Sequence, residues 1–548
     1  MRACSIRLAT LIALALSLPT ASFAENPPPK PAAKPAPKSA ATPAATATAK
    51  PAPKPPVVPA AKPAPKAPVV APAAAPQAAK PAVIAPTAAP QLAKAPVVVS
   101  APPAAPAKTL GVQLEIKRIT LENGLRVVLA PDHVSPTIAV DVVYDVGGRN
   151  EERGHSGFAH LFEHMMFQGS ANVARGEHFK LVTSHGGTLN GTTSEDRTNY
   201  FEMLPQSELG LALWLEADRM KSLDITQFNF ENQRKVVQEE YRMRVANQPY
   251  VPSEIRLQEM VFEGYWPYEH SAIGTMADLD AAQLEWVKAF HDAYYAPNNA
   301  VVSIAGDFEE ADAMALVTRL FGDAKALPSL PKYEPGAMPE QTKARDKVDV
   351  DEHAKLEAVI EAWAIPAARE KDHYALELAA MLLSDGDSSR LYRSLVREHA
   401  WCVDVSAETS DHRGPDSFEI SAKLSSGAKL ADVEKAIDAE LSRIAQSGPT
   451  DAEMQKLKTR LETHFLMSLQ TNIGRAQKLA EFELYWGDAT LLKGELARYQ
   501  AVSRDDIKRA VARYLVPARR SRIEIKPKQV TAAAEVAPAK ATQKAPSK

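Results

Sequence analysis

Residues 155–167 read His-Ser-Gly-Phe-Ala-His-Leu-Phe-Glu-His-Met-Met-Phe, and they hold the densest set of chemically capable side chains in the chain. His160 and His164 are four residues apart, so on a helix their imidazoles project from one side, a single turn from each other. Two imidazoles so placed can bind one zinc ion, and the carboxylate of Glu163 beside them can take a proton from an attacking water. The segment has the pattern of a helix. Phe158, Leu161, Phe162 and Met165 fall at i, i+3, i+4 and i+7 and make one apolar stripe, while Ser156 is a candidate N-cap. Taken alone, the spacing also fits a surface helix with incidental histidines, and its meaning depends on context.

The order His-x-x-Glu-His resembles the inverted signature of the pitrilysin/insulinase-type zinc peptidases. In that family the third ligand is a glutamate on a later helix. Glu240 stands 76 residues after His164, within Val236-Val237-Gln238-Glu239-Glu240, a context that matches the family. Adjacent helix positions face about 100° apart, so Glu239 and Glu240 cannot both reach one metal, and the resemblance selects Glu240. It implies one zinc per chain, held by His160, His164 and Glu240, with Glu163 as general base.

Further along, Gly186-Gly187-Thr188-Leu189-Asn190-Gly191-Thr192-Thr193 is similar to the family's Gly-Gly-x-x-Asn-Ala-x-Thr strand. There the resemblance implies an edge strand that pairs with an extended peptide, with Asn190 and Gly191 as substrate-binding positions. Gly191 replaces the more usual alanine. Tyr294–Asn299 also resembles the segment that leads into the last strand of the family's first lobe. Two positions depart from the pattern. Gln233 stands where relatives often carry a glutamate that supports the metal ligands, and Arg397 is followed seven residues on by Asp404 instead of tyrosine. The Arg–Tyr pair that orients substrate in the family is therefore expected to be missing.

The elements that must carry these residues form two stretches of similar size. In the first, Gly124–Leu129 and Thr137–Tyr144 read as strands, helical patterns follow, and Ala300–Ala305 reads as a late buried strand. In the second, Leu356–Trp363 reads as a strand and Ala375–Leu383 as a helix. This order predicts an α+β protein of two homologous-looking α/β lobes, each an antiparallel-rich sheet packed with helices. The expected organisation is a signal peptide over 1–24, a Pro/Ala/Lys-rich arm over 25–112 and a zinc-binding lobe over 113–325. A linker over 326–345, a lobe without metal ligands over 346–525 and a basic tail over 526–548 complete it. The family resemblance spans nearly all of 113–525.

Composition supports that division. Of 43 prolines, 24 lie in residues 25–108 with ten lysines and one acid, a composition that predicts an extended or disordered arm. The signal carries +2, residues 25–108 +9 and residues 526–548 +4, which leaves −18 on residues 109–525 and argues against nucleic acid as a partner. Arg2 and Arg7, the apolar run Leu8–Leu18 and Ser22-Phe23-Ala24 read as a secretory signal. Its removal would take Cys4 and leave Cys402 as the lone thiol, compatible with an oxidising compartment. No transmembrane span is expected, and the periplasm is the expected location.

Together these residues predict an exported zinc endopeptidase acting on extended peptides or unfolded polypeptides. The alternatives are a non-catalytic scaffold subunit of the same architecture, or an adaptor that binds the envelope through its arm. Two lobes make half of the family's four-lobe chamber, so a dimer is expected. The missing Arg–Tyr pair favours a heterodimer with a related, metal-free subunit that carries it.

Overall fold

The computed structural model describes residues 114–528. The signal peptide, the whole arm and most of the basic tail lie outside the described residues. The first sheet is built from β1 (Lys117–Thr120), β2 (Arg126–Pro131), β3 (Thr137–Tyr144), β4 (Thr188–Thr193), β5 (Thr198–Pro205) and β6 (Ala300–Gly306). Its spatial order is β1-β2-β6-β3-β5-β4. Only β2 and β6 run parallel; the other neighbours are antiparallel. The second sheet contains β7 (Arg345–Asp351), β8 (Ala358–Ile365), β9 (Cys402–Thr409), β10 (Asp416–Leu424) and β11 (Ser521–Pro527), in the order β7-β11-β8-β10-β9. Here the β7–β11 pair is parallel and the rest antiparallel. The expected pair of antiparallel-rich α/β lobes is what forms.

The central strands are apolar at almost every position because both faces of the first sheet are covered. Ile138, Val140 and Val142 of β3, with Val302 and Ile304 of β6, face one core, to which α1 (Phe158–Met165), α2 (Glu177–Ser184), α3 (Leu209–Ser222) and α4 (Gln227–Tyr241) contribute. The alternate residues Ala139, Val143, Val301 and Ala305 face a second core. That core is closed by Ala476, Leu479 and Ala480 of the helix Asn472–Trp486, which follows the second sheet's β10 in the chain. The reverse also holds. Leu257, Met260 and Val261 of α5 (Val251–Val261), which follows the first sheet's β5, cover Ala358, Ile360, Ala362, Ile523 and Ile525 of the second sheet. Each half thus lends a helix to the other half's sheet. Burial at roughly 25 cal/mol per Å² of apolar surface ties the halves together through these two exchanged helices.

Candidate active site

α1 begins at Phe158 behind Gly157, whose φ of 88° lies in the left-handed region. A Cβ at Gly157 would stand 2.7 Å from the carbonyl oxygen of Ile273, so only glycine fits. Ser156 does not cap the helix, contrary to expectation. Its hydroxyl is turned to Asp278, and the buried carboxylate of Glu151 instead takes the Gly157 and Ala159 N–H groups at 2.9 and 2.7 Å. Every residue of α1 is buried, and this includes His160, Glu163 and His164.

α4 packs against α1 and turns Glu240 inward, while Glu239 points to solvent and pairs with Arg242. Glu240 Oε2 lies 3.1 Å from His164 Nε2 and 3.8 Å from His160 Nε2, and the two Nε2 atoms are 3.3 Å apart. A tetrahedral zinc ion, about 2.0–2.1 Å from each N or O ligand, would hold such atoms about 3.4 Å from one another. The three donors fit that geometry. Neither oxygen of the buried Glu240 carboxylate has an aligned hydrogen-bond donor, and two imidazole nitrogens facing each other leave room for a cation. After α4 the chain makes one π-helical turn, Arg242–Ala246, which brings Arg244 Nε to 3.0 Å from Glu240 Oε1.

Electrostatics separate the members of the cluster. Burial, reinforced by His164, pushes the His160 imidazole down to about 3, so it is neutral and able to donate a lone pair. Burial opposes the charge on His164 as well, but the Glu240 and Glu163 carboxylates beside it raise its value. Glu240 is held low by the two histidines against its own burial. Burial pushes the Glu163 carboxyl up to about 7, although His164 and Thr193 favour its charged form. Gln233, buried one side of Glu240 on α4, hydrogen-bonds His164. The amide thus does reach a candidate ligand, in the place of the family's glutamate.

Asn190 and Gly191 lie on β4, the edge strand, paired on one side only by β5. The Gly191 N–H is held at 2.9 Å by Asn190 Oδ1. A Cβ on Gly191 would come within 3.0 Å of Glu163 Cγ and 3.2 Å of the Phe167 ring. Thr193, at the end of the same strand, donates its hydroxyl to Glu163 Oε2 at 2.6 Å. This contact to the candidate base was not singled out from sequence, although Thr193 lies in the stretch that resembles the family strand. Beside His164 and Glu240 runs an open groove of about 680 Å³ with Phe167, Phe179, Val236 and Met243 on its walls.

A second buried polar group, His178, Glu202 and Glu216, lies among α2, β5 and α3. Arg219 forms an ion pair with Glu216 there and supplies the positive charge that these carboxylates need. In the second lobe, Arg397 sits in a π-helical turn, Tyr392–Glu398, and Asp404 on β9 pairs with Lys423. Asp404 thus stands seven residues after Arg397, where the family pattern has tyrosine.

A two-lobed α/β body with a buried His-x-x-Glu-His helix and a converging glutamate defines a zinc-peptidase-like protein. The sequence model of the insulinase family (peptidase family M16) matches residues 126–268, and that of the peptidase M16 inactive domain matches residues 281–461. The zinc protease PqqE of Helicobacter pylori is 32% identical over 75% of this chain and 92% of its own length. The crystal structure of a protease from Helicobacter pylori superposes with a TM-score of 0.72 at 31% identity, over 76% of this chain and all of that one. The periplasmic protease PqqL from Escherichia coli shares the fold at a TM-score of 0.62 and 17% identity, with 75% of this chain covering 47% of that one. The chain belongs to the insulinase family, peptidase family M16.

Proposed function

We propose that this chain is an exported zinc endopeptidase that cleaves extended peptides, and that a second chain completes its chamber. The observation that carries the reading is the approach of His160 Nε2, His164 Nε2 and Glu240 Oε2 to within 3.1–3.8 Å of one another, with Glu163 beside them. His160, His164 and Glu240 would hold the zinc. Bound there, it would supply the Lewis acidity that polarises a peptide carbonyl and an attacking water.

The remaining steps fall to the chain's own groups. A substrate strand adds to the free edge of β4, its carbonyl taking the Gly191 N–H from the Asn190 side chain. An apolar substrate side chain enters the groove walled by Phe167, Phe179, Val236 and Met243. Glu163, oriented by the Thr193 hydroxyl, accepts the proton of the attacking water and returns it to the leaving amine. Zinc content of the purified chain, measured beside that of Glu240→Gln, tests the ligand set. One zinc per wild-type chain and a large loss in the variant are expected; equal zinc in both would refute it.

Location and partner follow from the sequence features. The Arg2/Arg7 and Leu8–Leu18 segment would export the chain to the periplasm, and among the described residues no helix is long and apolar enough to cross a membrane. Cys402 is buried, and burial pushes its thiol up to about 12, which keeps it unreactive in an oxidising compartment. A metal-free related subunit that carries the Arg–Tyr pair is the partner this chain lacks. Weak cleavage by the lone chain that rises sharply on adding such a subunit supports the heterodimer. Full activity from a homodimer would exclude it.

A further inference from the structure

The strand that carries Thr193 lies at a sheet edge and has a partner on one side only, the situation in which strand ends open most readily. Its far end is nonetheless fastened. The β4–β5 turn, residues 194–197, meets residues 410–415, the turn between β9 and β10, which occupy the corresponding places in the second sheet.

At the junction Asp196 is buried and satisfied from both halves. Its Oδ1 accepts from Arg149 Nη1 at 3.1 Å and from the Tyr268 hydroxyl at 2.8 Å. Its Oδ2 accepts from the Arg413 N–H at 2.8 Å. The Tyr268 oxygen in turn accepts from the Gly414 N–H at 2.8 Å, and its ring stacks on His412 at 4.3 Å. The path from Asp196 to the base is short: it runs along the turn's backbone, which hydrogen bonds brace on either side of Thr193. The Ser194 N–H donates to the Arg197 carbonyl at 2.9 Å, and Arg197 Nη1 donates to Thr192 Oγ1 at 2.8 Å and Asn199 Oδ1 at 2.6 Å. Thr193, between those two positions, reaches Glu163.

We infer that Asp196 is a positioning residue. Held by the second lobe's 410–415 turn, it fixes the end of β4, and through Thr193 it fixes the Glu163 carboxylate. The metal-free half would then take part in catalysis by orienting the base and would touch neither zinc nor substrate in doing so. The inference rests on Glu163 being the general base.

The test uses the full chain and the variants Asp196→Asn and Tyr268→Phe, each alone and combined with Thr193→Val. In Asp196→Asn, amide exchange over residues 188–201 should quicken at least about tenfold. Its kcat on an unstructured peptide should fall about tenfold, with KM and zinc content within about twofold of wild type. Tyr268→Phe should show the same pattern at smaller size, and it decides the matter if Asp196→Asn does not fold. In the Thr193→Val background, Asp196→Asn should cost no more than about a further twofold, because both act through one contact. Losses in kcat that multiply as if independent, or unchanged exchange over 188–201 in both variants, would overturn the proposal. Faster exchange in a zinc-loaded chain that cleaves no peptide would instead overturn the peptidase reading and support the fastening of β4.

Discussion

Apart from the added edge strand β1, the two sheets match strand for strand: β2-β6-β3-β5-β4 in one and β7-β11-β8-β10-β9 in the other, with the same sequence of parallel and antiparallel neighbours. In both, a helix follows the central strand, β3 or β8, and carries polar groups four residues apart. On α1 these are His160 and His164; on Lys371–Ser384 they are His373 and Glu377. The outcomes differ. His373 Nε2 is bound to Asp416 Oδ2 at 2.8 Å, and Glu377 accepts the Tyr499 hydroxyl at 2.7 Å. Asp416 also holds His412 at 3.1 Å. The second half closes its polar groups on one another. In the first half, the Nε2 atoms of two histidines and Glu240 Oε2 converge on one another, while Arg244 pairs with the other oxygen, Oε1. A metal site needs donors that the fold brings together and leaves unsatisfied; the same architecture with satisfied donors is a structural ion-pair cluster.

The largest test of this contrast is Glu163→Gln. Peptide cleavage should fall at least about a thousandfold with zinc still bound, as the role proposed for Glu163, handling protons without binding the metal, requires. His164→Ala should lose metal and activity together. Activity retained by purified Glu163→Gln would remove the chemical distinction between the halves.

The corresponding change in the other half should do the opposite. His373→Ala should leave zinc content and turnover per zinc intact. It should lower stability by about 3–5 kcal/mol, because Asp416 would remain buried without one of its charged partners. Its consequence depends on pH. Burial opposes the charge on His373 and His412, but Asp416, joined by Glu377 at His373, outweighs it and raises them to about 10 and about 9, while Asp416 itself is held at about 2. Folded-state histidine values above the ordinary 6.5 mean stabilisation that is complete below about pH 6.5 and lost as pH rises through 9–10. The depressed Asp416 contributes above about pH 3.8 and loses that contribution as pH falls towards 2. Melting curves of wild type and His373→Ala should therefore differ most near pH 5–6 and draw together towards pH 10.

Gln233→Ala sharpens the contrast at intermediate size. With the hydrogen bond to His164 gone, zinc affinity should fall about 10–100-fold in competition with a chelator, while the fold's melting temperature changes little. The smallest effect is expected for Gly191→Ala. The new methyl meets Glu163 Cγ at 3.0 Å and the Phe167 ring at 3.2 Å, so the base must shift by a few tenths of an ångström. A loss of kcat of no more than about tenfold, with zinc and melting temperature unchanged, is expected from so small a displacement.

Part of this architecture is encoded in local pattern alone. The His-x-x-Glu-His spacing places three groups on one helix whatever surrounds it, and α1 forms where the apolar period requires. β3 and β6 are legible because strands buried on both faces must be apolar throughout. Glu240 stood out only by resemblance to a family, since a separation of 76 residues has no local period. Tertiary structure decided the rest. Ser156 has the right side chain for a cap, but the left-handed turn at Gly157 and the Glu151 carboxylate take that role. No segment's own pattern states that Asn472–Trp486 and α5 cover each other's sheets, since an amphipathic helix records that it has an apolar face and not which sheet will meet it. The same holds for Asp196. Its burial, its bond to Arg413 and its place three residues beyond Thr193 in a turn facing the other half become visible only when the two halves are folded against each other, because every donor it accepts from lies far along the chain.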